Sequence, residues 1–122
     1  MDRTKPEVPR RPEQVVVQSV SFVGEQDGPP ERELKDKLTV LFGQLQLVRT
    51  AYLALVRYDK AGPVHVALCV RGQPGQNRMF AERVGRVFAS IFGSHEHLDT
   101  LWLTPEQEVS LRQVCRTFYE IK

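Results

Sequence analysis

The chain has 122 residues, of which 41% are hydrophobic and 26% are charged, and this is enough for one globular domain with a buried core. The 17 basic and 15 acidic side chains leave a net charge of +2, which is too balanced to predict nucleic acid or a membrane as the main partner. The longest unbroken apolar run, from Ala51 to Val56, is far shorter than a membrane span, and the first residues lack an apolar run of signal-peptide length. We therefore expect a cytoplasmic protein without membrane contact.

The N-terminus differs in composition from the rest. Residues 1–12 are rich in proline and basic side chains and contain almost nothing to bury, so a disordered tail is predicted there. Residues 13–122 are predicted to form a single domain. Both cysteines, Cys69 and Cys115, lie inside apolar patterns, which indicates small buried hydrophobes in a reducing compartment instead of a disulfide.

The first predicted elements are a strand and a helix. A valine-rich segment with alternating polarity runs from Gln14 to Gly24 and predicts the first strand. The helix begins near Pro30, because proline is tolerated in a first helical turn. A leucine stripe at helical spacing extends over about three turns. It consists of Leu34, Leu38, Leu41 and Leu45.

The segment from Val48 to Gly72 reads as two strands joined by a turn at residues 59–63. An exposed hairpin should have one apolar and one polar face, but here both faces are largely apolar. One face carries Leu53, Leu55, Val64, Val66 and Leu68. The other carries Tyr52, Ala54, Val56, Ala67 and Cys69. Something must therefore cover each face.

Three further elements complete the pattern. A second helix is predicted between Asn77 and Gly93, and the apolar residues 98–103 predict a fourth strand. Thr104, followed three residues later by Gln107, has the spacing of a capping box and predicts the start of a third helix.

The order β-α-β-β-α-β plus one helix predicts an α+β fold, namely a ferredoxin-like split β-α-β sandwich with an extra C-terminal helix. The sheet would have four antiparallel strands, with two helices on one face. The third helix is too short to shield the whole second face, so we expect part of that face to be exposed as a contact surface for a protein partner or a second copy. The predicted surface consists of Tyr52, Val56, Cys69 and Trp102. The alternative, in which the third helix and the C-terminal Phe118 and Tyr119 fold across this face and bury it, stays open.

Several strings carry a family resemblance. "VRTAYLALV", "VHVALCV", "LDTLWL" and a C-terminal "FYE" occur in this order. Over residues 31–120 the chain resembles the C-terminal domain of the SseB (enhanced serine sensitivity) family. The resemblance implies a bacterial cytoplasmic protein linked to serine tolerance. It implies no known enzyme activity, so no catalytic residue is transferred.

A second interpretation concerns the loop after the first strand. Amino-acid-sensing ACT domains share this element order and bind ligands near the equivalent loop. Here that loop contains Gly24, Asp27 and Gly28, and amides at the helix start could hold a carboxylate. A plain Asp-Gly-Pro turn explains the same residues. An amino-acid sensor is therefore the alternative function, by fold analogy alone.

The remaining chemistry-bearing residues do not form a catalytic or metal signature. His95 and His97 have no distant cysteine or histidine pair to complete a metal site, so neither a metal nor another cofactor is expected. His65 and Cys69 lie about 13 Å apart along an extended strand, which is beyond hydrogen-bond reach for a nucleophile pair. We therefore predict a protein that is not an enzyme.

The second helix carries three arginines, Arg78, Arg83 and Arg86, with Glu82 among them. A solvated face with local ion pairs is the expected interpretation. RNA binding would need aromatic residues at the centre of the third strand, which has none there, so nucleic acid is not predicted as a partner. The sequence favours a non-enzymatic binding or regulatory module that acts by protein–protein contact.

Overall fold

The structure, a computed structural model, describes residues 20–59, 61–73, 77–93, 95–96 and 98–121. Its elements in chain order are β1 Ser21–Glu25, α1 Pro29–Leu45, β2 Val48–Arg57, β3 Val64–Gly72, α2 Asn77–Phe92, β4 Asp99–Trp102, α3 Pro105–Arg112 and β5 Tyr119–Glu120. The predicted tail at residues 1–12 lies outside the described residues, as does the beginning of the predicted first strand. Among the described helices, none combines the length and the apolar composition needed to cross a bilayer.

The strands form one mixed sheet in the order β1-β2-β3-β4, and β5 also pairs with β2. β1, β3 and β5 run antiparallel to β2, whereas β4 runs parallel to β3. The α+β class is confirmed. The ferredoxin-like arrangement is not confirmed, because the prediction required an antiparallel sheet of four strands and the observed sheet is mixed and has a fifth strand.

The unequal lengths of β1 and β2 explain how strands joined through a helix become antiparallel neighbours. β1 has five residues and ends with Glu25 opposite Ala54, halfway along the ten-residue β2. α1 starts beside this point and ends next to Val48, so it continues in the direction of β1 over the other half of β2. The chain reverses at Gln46, whose φ of 61° is left-handed. The half of β2 that β1 leaves free pairs with β5.

Helices α1 and α2 cover the first face of the sheet and enclose the larger core. Phe42 of α1 stacks on Phe80 of α2, with ring centroids 5.7 Å apart. The buried residues of this core include Leu38, Leu41, Leu53, Val84 and Phe88, and Val66 is partly buried against them. The assignment of the two sheet faces in the hairpin is therefore confirmed.

Helix α3 covers the second face and encloses a second core. Its capping box is formed as predicted: Gln107 N–H donates to Thr104 Oγ1 at 3.1 Å, and Thr104 N–H donates to Gln107 Oε1 at 2.9 Å. The buried residues of this core are Tyr52, Ala54, Val56, Ala67, Cys69, Leu101, Leu103, Leu111 and Cys115. The fold thus has three layers, with two helices, the sheet and one helix.

Candidate functional site

The predicted contact surface on the second sheet face is not exposed. Tyr52, Val56 and Cys69 each have 0% exposed surface because α3 and the chain after it cover them. Trp102 lies on the opposite face, where its ring is 5.1 Å from that of Phe80. The prediction that Tyr52 and Val56 are partly exposed is wrong. It gave the short length of α3 the greater weight, whereas the chain after α3 returns as β5 and brings Cys115 onto the same face, with Phe118 and Tyr119 packed against the other core.

A carboxylate on α3 fastens this helix to the sheet. Glu108 accepts hydrogen bonds from the Thr50 hydroxyl at 2.7 Å and from the Tyr52 hydroxyl. The guanidinium groups of Arg71 and Arg112 approach the same carboxylate to 3.5 and 3.4 Å. Sequence reasoning missed Glu108, although its position three residues before the apolar Leu111 placed it on the inward side of the helix.

The protonation states of Glu108 and Tyr52 indicate that the hydrogen bond between them has a structural role. Burial opposes the ionisation of Glu108, but hydrogen bonds from Tyr52, Thr50 and Arg112 outweigh it and lower the pKa of the carboxyl. Burial, together with the hydrogen bond to Glu108, raises the pKa of Tyr52 to about 12. At neutral pH the tyrosine is a fixed donor and the glutamate a fixed acceptor. The pair holds α3 in place and has no proton to exchange near neutrality.

The predicted ligand loop connects β1 to α1, and its charges are engaged with other side chains of the chain. Gly24 lies at an irregularity in the pairing of β1 with β2, and Gly28 is the N-cap of α1. The Asp27 carboxylate contacts Lys35 at 3.0 Å and Arg32 at 3.4 Å. Hydrogen bonds from Lys35 and Arg32 lower its pKa. Asp27 therefore balances side chains of α1.

A second carboxylate beside this loop connects β1 to the segment after α3. Arg116 donates to Glu25 at 2.9 and 3.1 Å, and Lys35 donates to it at 3.0 Å. The bond from Arg116 is the main reason why the pKa of Glu25 falls to about 2. The carboxylate of Glu31 also lies in the first turn of α1, 2.6 Å from the place that a Cβ on Gly28 would take. The cations near the start of α1, Arg32, Lys35 and Arg116, are therefore already paired with carboxylates of this chain.

The histidines and cysteines are not brought together. His65 is exposed and its ring lies 5.4 Å from that of Tyr58, whereas Cys69 is buried beneath α3. Burial raises the pKa of the Cys69 thiol, which keeps it protonated and unreactive. His95 lies in the turn after α2, and His97 lies outside the described residues. The described part of the chain contains no group of three histidine, cysteine or acidic side chains placed to hold a metal ion.

The outer edge of β4 is unpaired as far as the described residues extend. Leu103 N–H donates to the Val70 carbonyl at 2.8 Å, so the backbone of Leu103, and by alternation that of Leu101, points towards β3. The backbone N–H and C=O groups of Thr100 and Trp102 therefore point away from the sheet. No strand within the described ranges pairs with this edge of β4. Such an edge is a template for another extended chain.

A groove lies beside this edge, between β4 and α2. Its volume is about 350 Å³, and its lining residues are Ala81, Val84, Gly85, Phe88, Ala89, Glu96, Leu98 and Thr100. Ala81, Gly85 and Ala89 follow one another at four-residue intervals, so they form a single row of small side chains along α2. A Cβ placed on Gly85 would meet no atom within 4 Å. The helix therefore leaves room for side chains that approach along the edge of β4.

The charged residues of α2 are exposed, and they form no ion pairs with other residues of the described ranges. Neither the three arginines, Arg78, Arg83 and Arg86, nor Glu82 makes an ion pair with another described residue. The predicted local ion pairs are therefore absent from the described part of α2. Arg78, Glu82 and Arg86 each precede one of the small residues by three positions, so they form the outer rim of the groove.

The family model described as the SseB protein C-terminal domain matches residues 23–120. The chain belongs to the SseB C-terminal domain family. The match begins inside β1 and ends with β5, so α3 and the cover of the second sheet face are part of the family domain. The open edge of β4 also lies within it. No curated protein and no solved structure matches the chain.

Proposed function

We propose that this SseB C-terminal domain is a non-enzymatic module that acts by protein–protein contact, and that the contact is made at the free edge of β4. The outward backbone groups of Thr100 and Trp102 carry the proposal. An extended segment that pairs with these groups forms main-chain hydrogen bonds with them. Its alternate side chains can then enter the groove between β4 and α2.

The covered faces of the sheet and the paired carboxylates support the choice of this edge as the site. Helices of the chain itself already cover both faces of the sheet, so another strand can join only at an edge, and the groove beside α2 favours the edge of β4. The carboxylates with lowered pKa values, Glu25, Asp27 and Glu108, are bound to side chains of the same chain. Their ion pairs and hydrogen bonds fasten elements of the fold together, which is a structural use.

Selection from a displayed library of random twelve-residue peptides tests the proposal. The folded domain should enrich peptides of high strand propensity, and Thr100→Pro should lose them. Proline removes an N–H that points outwards, so the pairing of β4 with β3 is kept. Thr100→Val is the matched control, because valine retains both the N–H and the β-branched shape. A failure to enrich any peptide, or enriched peptides that bind Thr100→Pro as well as the wild type, would refute the site.

The alternative function, an amino-acid sensor, predicts a different experimental result. It places the ligand at the loop of Gly24, Asp27 and Gly28, where the nearby cations are already paired with carboxylates of the same chain. Calorimetric titration with serine should therefore give no binding heat. Saturable binding that Asp27→Asn changes would replace the contact module with the sensor.

The proposal includes the bacterial cytoplasmic setting and the link to serine tolerance that the family resemblance implies. In cells that lack the gene, the wild-type chain should restore growth on serine-rich medium. Thr100→Pro should fail to restore it and Thr100→Val should succeed. Equal restoration by both variants would separate serine tolerance from the edge of β4.

A further inference from the structure

We propose that the partner at the β4 edge is a second copy of this chain, paired through an antiparallel β4–β4 contact. This inference rests on the proposed function and specifies its partner. The pairing has a two-fold axis at Leu101, so that each copy supplies the same residues. Three features of the structure fit this arrangement: the backbone register, the position of α2 and the charges on its rim.

The register follows from the direction of the backbone groups. Thr100 and Trp102 both point their N–H and C=O groups to the open side. With the axis at Leu101, Thr100 of one copy lies opposite Trp102 of the other, and both outward residues gain hydrogen bonds. The two Leu101 residues then lie opposite each other and form no hydrogen bonds across the axis, because their backbone groups point to β3. A two-fold pairing centred here thus uses every outward group of the two residues.

Helix α2 is placed so that two copies of it would pack. Phe80 contacts Trp102 of β4, and Phe88 lines a cleft with Val66 of β3, so the helix lies over both strands. Across the axis the two helices would be separated by about two strand spacings, or about 10 Å. This is close to the distance at which helices pack. The small row of Ala81, Gly85 and Ala89 allows such an approach, and the open space at Gly85 would be filled.

Under the same two-fold axis, the charged side chains on the rim of one copy are complementary to those on the rim of the other copy. Phe80 lies at Trp102 and Phe88 lines the groove with Thr100, so the part of α2 above Leu101 is near Val84. A two-fold axis there brings Glu82 of one copy opposite Arg86 of the other, and the reverse pair forms as well. Neither of these two residues forms an ion pair within the part of the chain that the structure describes. An opposite charge on a second copy provides each of them with a partner.

Sedimentation velocity over a dilution series tests the inference with the chain as it exists. The wild type and Thr100→Val should form dimers, whereas Thr100→Pro should remain a monomer. Gly85→Leu should weaken the dimer because its side chain enters the groove. Gly43→Leu is the matched control, since Gly43 is also an exposed glycine of a helix with no atom within 4 Å of a Cβ.

A charge exchange tests the register. Glu82→Arg alone and Arg86→Glu alone should each weaken the dimer about tenfold or more, because like charges then face each other. The double variant should restore it, and Glu33→Arg on α1 should change nothing.

The outcomes distinguish this inference from the proposed function. A wild type that stays monomeric at every concentration refutes the second copy, while peptide binding to the β4 edge is decided separately by the display selection. A dimer that survives Thr100→Pro uses another surface and also refutes the inference. A dimer that is lost in Thr100→Pro but unaffected by either single charge change refutes the proposed register.

Discussion

The two faces of the sheet are covered in different ways. On the first face, helices of 17 and 16 residues enclose a large aliphatic and aromatic core. On the second face, a helix of eight residues contributes Leu111, and Cys115 follows from the segment after it. Polar links complete this smaller cover, through Glu108 to the sheet and through Arg116 to Glu25. Both faces should therefore depend on packing, and the second face should depend in addition on a few hydrogen bonds and ion pairs.

The largest expected effect comes from a charge placed on the second face. Val56→Glu puts a carboxylate beneath α3 at a position with 0% exposure, so it should destabilise the fold by about 4 kcal/mol or more. Val64→Glu is the control, because Val64 is 39% exposed and should tolerate the change. Urea unfolding followed by circular dichroism measures both. A folded Val56→Glu variant of near wild-type stability would show that the face is open after all.

Substitutions that leave a cavity in the core on the first face should destabilise the fold. Leu53→Ala removes a fully buried side chain from the larger core and should cost about 2–5 kcal/mol. Leu111→Ala removes the buried side chain of α3 and should fall near the lower end of that range, because a single short helix can settle into the space. Chemical denaturation compares the two variants. A change below about 0.5 kcal/mol for Leu53→Ala would contradict the assignment of the faces.

The hydrogen bonds of Glu108 should contribute less to the free energy of unfolding than either core does, but more than a contact at the surface. Glu108→Gln removes the charge that accepts from Thr50 and Tyr52, and should cost about 1–3 kcal/mol. Glu106→Gln on the same helix is exposed and should change stability by less than about 0.5 kcal/mol. If both variants lose the same stability in urea, the contribution of Glu108 is only that of a surface charge.

The second face should also be sensitive to acid. The pKa of Glu25 is about 2 in the folded chain against an ordinary value of 4.5, so the unfolded chain takes up a proton first as the pH falls. The stabilisation is complete above about pH 4.5 and is lost as the pH falls towards 2. Arg116→Gln should flatten this dependence, because Arg116 is the main cause of the lowered pKa. Urea unfolding at several pH values measures the slope, and an unchanged slope in the variant would contradict this cause.

Local patterns allowed much of the fold to be predicted. Helical leucine spacing, strand alternation around Leu53 and the Thr104–Gln107 capping box depend on neighbours within a few residues. The same alternation assigned each strand residue of the hairpin to its face. These features are confirmed because short-range sterics and hydrogen bonding determine them.

Non-local pairing could not be predicted in this way. The place of β1 beside β2 depends on how far each strand extends, and β5 is a two-residue strand, Tyr119–Glu120, with no alternating pattern to reveal it. The return of this segment to β2 is what allows the short α3 to close the second face. The exposure of Tyr52 and Val56 was therefore predicted wrongly, since the short length of the helix was given more weight than the chain that follows it.

Hydrogen exchange at Trp102 tests most directly whether contact is made at the β4 edge. Its amide points outwards, whereas the amide of Leu103, one residue on, donates to the Val70 carbonyl and provides an internal reference. We expect the Trp102 amide to exchange rapidly in dilute protein and to slow as the protein concentration rises, while Leu103 stays protected throughout. A Trp102 amide that exchanges equally fast in the monomer and in the associated protein would contradict the account.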